Sequence, residues 1–137
     1  MKTFTLLLVT CLFVFGQQAA QEDPVRDALF PPEVVMQNQQ ALGLSEEQKN
    51  FLRNEVRTAQ PRFTEMQWKL QDEMDRLAAM LKPSKIDESQ VSAQLDKVLS
   101  GEREIKHAQL MLLVRIKNSL NAEQQTRLRD LAKSKSR

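Results

Sequence analysis

From Leu52 onward the apolar residues fall at Leu52, Val56, Ala59, Phe63, Met66, Leu70, Leu77 and Met80, with Glu73 in phase among them, in alternating steps of four and three. Such spacing keeps one stripe on one side of a helix wound at about 3.5 residues per turn. It predicts a single long helix over about 45–82. Pro61 interrupts the composition but not the phase, and it falls opposite the stripe, where a proline bends a helix toward its packing partner. The stretch "KPSKIDES" then supplies Pro83, a turn and a new cap at Asp87. A second stripe follows at Val91, Leu95, Val98, Glu102, Ile105, Gln109, Leu112 and Ile116. Equal periods on consecutive helices predict an antiparallel hairpin with its tip near Pro83.

One phrase is written twice, as "LGLSEEQKNFLRNEV" and "NSLNAEQQTRLRDLA", and aligning Leu44 with Leu120 also pairs Glu47 with Glu123, Gln48 with Gln124, Leu52 with Leu128 and Arg53 with Arg129. Each copy is a helix start. Ser45 and Asn121 stand at N-cap positions, with Gln48 and Gln124 three residues on, which is the capping-box arrangement. Acidic residues in the first turn favour the positive end of the helix dipole. Leu44 and Leu120, lacking apolar staple partners, are expected to pack on another helix. The second copy opens a last helix over about 121–133, and "FPPEVVMQNQQAL" gives an earlier one over about 32–42 with Pro32 in its first turn.

The fold class is therefore all-α: a four-helix, bent antiparallel hairpin with short first and last helices. The run from Leu110 to Val114 is apolar on every side, which a bare hairpin does not tolerate. In hairpin register it lies near residues 52–59, where both phrases also converge, so the short helices are expected to cover this open end. At the other end Trp68 faces away from its stripe, Met74 lies beside it, and Met80 ends it. An uncovered apolar surface of this kind suits an oligomer contact or a partner protein, against the plainer reading of Trp68 lying under cationic stems. The methionines at 36, 66, 74, 80 and 111 read first as core filling, and the exposed ones as adaptable contacts.

The start of the chain needs separate treatment, because "MKTFTLLLVTCLFVFGQQAA" joins a Lys2 n-region to an apolar run from Phe4 to Phe15 and then small residues. This is an export signal, with cleavage after Gly16 or Ala20. The run is well short of the roughly 20 apolar residues of a membrane span. Residues 21–137 then form one helical domain, expected in the periplasm. Cys11 raises lipidation, but the apolar run continues beyond it. It is the only cysteine, so the mature domain has no thiol chemistry and is held by packing. With Lys2 removed, nineteen cationic side chains face eighteen acidic ones. That balance argues against a nucleic-acid partner.

Candidate chemistry is sparse. The one histidine, His107, has Glu104 and Met111 at helical spacing, so the three share a side and are candidates to hold a divalent ion. A solvated histidine is the commoner arrangement, and tight sites use three or four ligands. Glu73 and Glu102 at stripe positions form a carboxylate pair in principle, though polar stripe residues more often set register. No nucleophile–base set, phosphate loop or metal-ligand motif is present. Neither an enzyme nor a bound cofactor is expected.

The short segments "LSEEQ" and "LNAEQ" resemble the paired L-T-x-x-Q motifs of the Spy/CpxP family of exported helical envelope-stress proteins, and residues 30–133 also resemble the related periplasmic heavy-metal sensor and resistance proteins. Ser45 and Asn121 replace the threonine with equivalent caps. The resemblance implies a homodimeric cradle that binds unfolded or partner proteins, as an ATP-independent chaperone or an adaptor, or else a sensor binding a divalent metal. The metal-binding branch carries its histidine and methionine ligands at positions that correspond here to Val35, Gln39, Leu112 and Ile116. None of these four is a histidine or methionine.

Overall fold

A computed structural model describes residues 24–135. The expected export signal over 1–20, with Cys11, lies outside them. A single helical turn, α1 (Pro24–Asp27), precedes the four helices that the pattern predicts: α2 (Pro32–Gln37), α3 (Glu46–Met80), α4 (Glu88–Asn118) and α5 (Ala122–Lys135). No strand occurs among the described residues.

The helix starts follow from local chemistry. Ser45 Oγ accepts from the Gln48 backbone N–H at 3.1 Å, and Gln48 Oε1 accepts from the Ser45 N–H at 3.0 Å. Asn121 and Gln124 repeat this at 2.8 and 3.0 Å. Asp87 caps α4 through the Gln90 N–H at 3.1 Å. Pro61 sits inside α3 on its exposed side without ending it.

α2 ends earlier than the expected boundary at 42. Its last regular residue is Gln37, and the chain continues in turns to Gly43. There the Leu44 N–H reaches the Gln39 carbonyl and the Gly43 N–H reaches the Gln40 carbonyl, both at 3.1 Å. This is a Schellman termination, and Gly43 takes the left-handed φ of 60° that it demands. A residue with a Cβ would be strained there by about 1–2 kcal/mol.

α3 and α4 pack against each other along nearly their whole length. On α3 the expected stripe holds throughout, with Leu52 buried and Val56, Ala59, Phe63, Met66, Leu70, Glu73, Leu77 and Met80 half-buried. On α4 the stripe needs correction. Val91, Val98, Ile105 and Leu112 face α3, but the positions between them are taken by Gln94, Gly101 and Ala108, while Leu95, Glu102 and Gln109 are exposed. Size explains the difference. A Cβ on Gly101 would lie 3.3 Å from Leu70 Cδ1, so Leu70 packs directly over the glycine and any side chain there would press on it. Gln94 is buried because its amide donates to the Glu73 carbonyl at 2.8 Å and to Glu73 Oε2 at 2.6 Å.

The core gathers at the base of the hairpin, from Phe30, Val35, Leu42, Leu44, Leu52, Leu112, Ile116, Leu120 and Leu128. The short helices thus cover the open end, and Leu44 and Leu120 join this shared core. The cover is one-sided. Leu112 and Ile116 are buried and Leu113 and Val114 half-buried, yet Leu110 and Met111 stay exposed.

The twin phrases meet at this base. Gln48 Nε2 donates to Gln124 Oε1 at 2.9 Å, and Gln124 Nε2 returns a bond to Gln48 Oε1 at 3.2 Å. Gln48 Nε2 also reaches the Ser119 carbonyl at 2.8 Å, and Gln124 Nε2 approaches the Leu42 carbonyl at 3.4 Å. Each amide therefore caps its own helix and grips the other. A network with every member satisfied is rigid, and losing one member orphans the rest. Gln48→Ala and Gln124→Ala are each expected to cost about 1–3 kcal/mol in urea unfolding. The double variant should cost less than their sum by on the order of 1 kcal/mol; strict additivity would mean that the two amides do not act together.

Candidate binding surfaces

Helical spacing divides the hairpin's remaining surface into two flanks and two backs. Residues seven apart share a flank. One flank carries Met74 on α3, Leu81 at its C-cap, and Leu95, Glu102, Gln109 and Ile116 on α4. At the base this flank is covered, and Ile116 is fully buried. At the tip none of the described residues covers it. The bond from Gln94 to Glu73 fixes the register there, and the following residues, Met74 and Leu95, are 46% and 42% exposed. Leu81 and, one turn from Leu95, Leu99 are exposed as well, as is Ile86 in the tip turn. The sequence reading placed Leu95 in the stripe and so missed this patch, although the spacing of Leu95 and Leu99 was a visible sign of it.

Of the three residues expected to bind partners, the structure does not make one surface. Trp68 is 68% exposed, but it lies seven residues from Pro61 on the back of α3, with polar Thr64, Gln71 and Asp72 at helical spacing. Met74 belongs to the apolar flank. Met80 is half-buried at the end of the stripe.

The opposite flank holds the candidate metal ligands. Glu104 and His107 line a shallow groove with Arg62, Met66, Arg103 and Ala108. Met111, one turn on, is exposed outside that lining. Glu104 already has a cationic neighbour: Lys69, whose pKa is raised by the hydrogen bond and charge of Glu65, is raised further by the Glu104 charge. With one imidazole, one carboxylate and two guanidinium groups, this groove does not fit a tightly held cation. Among the described residues no three His, Cys, Asp or Glu side chains are grouped to hold an ion. The positions equivalent to the metal-binding branch's ligands do come together, since Val35, Leu112 and Ile116 share the base core. They are apolar there, and Gln39 is half-buried beside them in sequence.

The stripe carboxylates do not pair. Glu73 accepts from Gln94 and, at 3.0 Å, from Arg76, whereas Glu102 faces out on α4. Glu73 therefore sets register.

Among the described residues, a long two-helix hairpin is closed at one end by twin capped helix starts and offers shallow grooves along its flanks. The family described as heavy-metal resistance matches residues 4–127, and the chain belongs to that family. Neither the curated proteins nor the solved structures yield a match. No helix among the described residues is long and apolar enough to cross a membrane.

Proposed function

We propose that this member of the heavy-metal resistance family acts in the periplasm as a protein-binding module of the stress response, holding unfolded or partner polypeptides without ATP and without a catalytic step. Its apolar tip flank carries the reading: Met74, Leu81, Leu95 and Leu99 are all exposed toward the tip of the hairpin, whereas the same flank is covered at the base around Ile116. Contiguous apolar surface of this kind marks a site of interaction, and flexible methionine adapts to varied partners. Export is supported by the family match, which begins at residue 4 and so takes in the apolar leader. In this reading the working unit is the homodimer that the Spy/CpxP resemblance implies.

The family description favours a second reading, direct binding of a divalent metal in heavy-metal resistance or sensing. Its support in the chain is that Glu104 and His107 line one groove. Arg62 and Arg103 in that groove, and the small number of donors, weigh against it.

Two measurements separate these readings. Mature protein at near-stoichiometric ratio should suppress aggregation of a chemically denatured client, and Met74→Glu with Leu95→Glu should remove most of that suppression while Trp68→Ala, on the back of α3, keeps it. No suppression by the intact protein, or none lost in the double variant, contradicts the tip-flank reading. In calorimetric titration with nickel, cobalt, zinc and copper, intact protein and His107→Ala should give indistinguishable heats. A saturable heat that disappears in His107→Ala would transfer the function to the metal reading.

A further inference from the structure

The flank opposite the apolar tip has a different chemistry. Ala59 on α3 and Ala108 on α4 line the same cleft, where two small residues at stripe positions leave a notch between the helices. Phe63 and Met66, both half-buried, continue its floor toward the tip. Arg62 lines both the notch and the adjoining groove, and Arg103 lines the groove's far end. Neither guanidinium has an ion pair or side-chain hydrogen bond among the described residues, whereas Arg115 at the other end is held by Glu55 at 2.7 Å.

We propose that this cleft binds a short extended segment of a partner polypeptide in which acidic residues flank a bulky apolar side chain. The apolar side chain fills the notch over Ala59 and Ala108, and the carboxylates meet Arg62 and Arg103. Charge complementarity selects the occupant: an unpaired guanidinium presents a planar fork of donors that matches a carboxylate. Length selects a peptide over a single anionic headgroup. Along α4 the lining runs from Arg103 to Arg115, which at about 1.5 Å per residue is roughly 18 Å, or about five extended residues. Two acids line this wall: Glu55 is paired with Arg115, so Glu104 is the one carboxylate set against Arg62 and Arg103, and the cleft keeps an excess of positive charge. This surface is separate from the tip flank, and binding here stands or falls independently of aggregation suppression there.

The test uses the whole mature protein and a fluorescein-labelled peptide of alternating leucine and glutamate, with a leucine–lysine peptide as comparison, read by fluorescence anisotropy. The acidic peptide should bind saturably and lose affinity with added salt, and the lysine peptide should not bind. Arg62→Glu with Arg103→Glu should weaken binding on the order of tenfold. Ala108→Leu, which fills the notch, should weaken it too, and Met74→Glu with Leu95→Glu should leave it unchanged. Helical circular dichroism establishes that each variant is folded. Equal affinity for the two peptides, undiminished binding after charge reversal, or binding to anionic lipid vesicles in place of the peptide would overturn the proposal. Client suppression that survives the Arg62 and Arg103 changes would leave the tip-flank reading standing while the peptide result decides this one.

Discussion

Two helices lying side by side can bury only one stripe each, and this limit shapes the whole molecule. α3 and α4 spend their stripes on each other. Every further apolar residue must find a third element or remain in water. At the base a third and fourth element arrive, because α2, α5 and the turns that lead into α3 and α5 bring Val35, Leu42, Leu44, Leu120 and Leu128 against Leu52, Leu112 and Ile116. Short helices contribute little stability alone, so their placement needs a fastening. The Gln48–Gln124 amide pair supplies it, binding two helix starts to each other and to the carbonyls of Ser119 and Leu42. That is the physical reason for writing one phrase twice.

Away from the base no such cover exists, and the two flanks differ in chemistry. One is apolar at the tip, with Met74, Leu81, Leu95 and Leu99 exposed. The other is a shallow cleft with an apolar floor and two arginines that are unpaired among the described residues. Neither resembles a metal centre. Membership in the heavy-metal resistance family is thus combined with a chain in which the positions equivalent to the metal-binding branch's ligands hold Val35, Leu112 and Ile116 in the core. The protein-contact role proposed above would reconcile the family with the residues present.

What could be read from the sequence was what local chemistry decides. Ser45, Asp87 and Asn121 announce helix starts through their own side chains, and all three cap where expected. The α3 stripe was equally legible, since its positions are apolar nearly throughout. α4 was misread at Leu95, Glu102 and Gln109 because these lie at seven-residue steps from Leu95 to Ile116, in phase with two apolar residues. Only the partner helix shows that Gly101 fits against Leu70 and that Gln94 has Glu73 to satisfy it. The surfaces were less legible for the same reason: Trp68 and Met74 lie six residues apart in sequence but on different sides of α3. The Schellman turn at Gly43 was written in the glycine, yet no proline or glycine between Gln37 and Gly43 announces the earlier end of α2.

Hydrogen–deuterium exchange of mature protein, with and without a saturating unfolded client, tests the central claim that an uncovered tip flank is where polypeptides are held. The account predicts slowed exchange around residues 74–81 and 95–99 when client is present, with the base around Gln48 and Gln124 unchanged. Protection confined to the base, or to the back of α3 around Trp68, would contradict it.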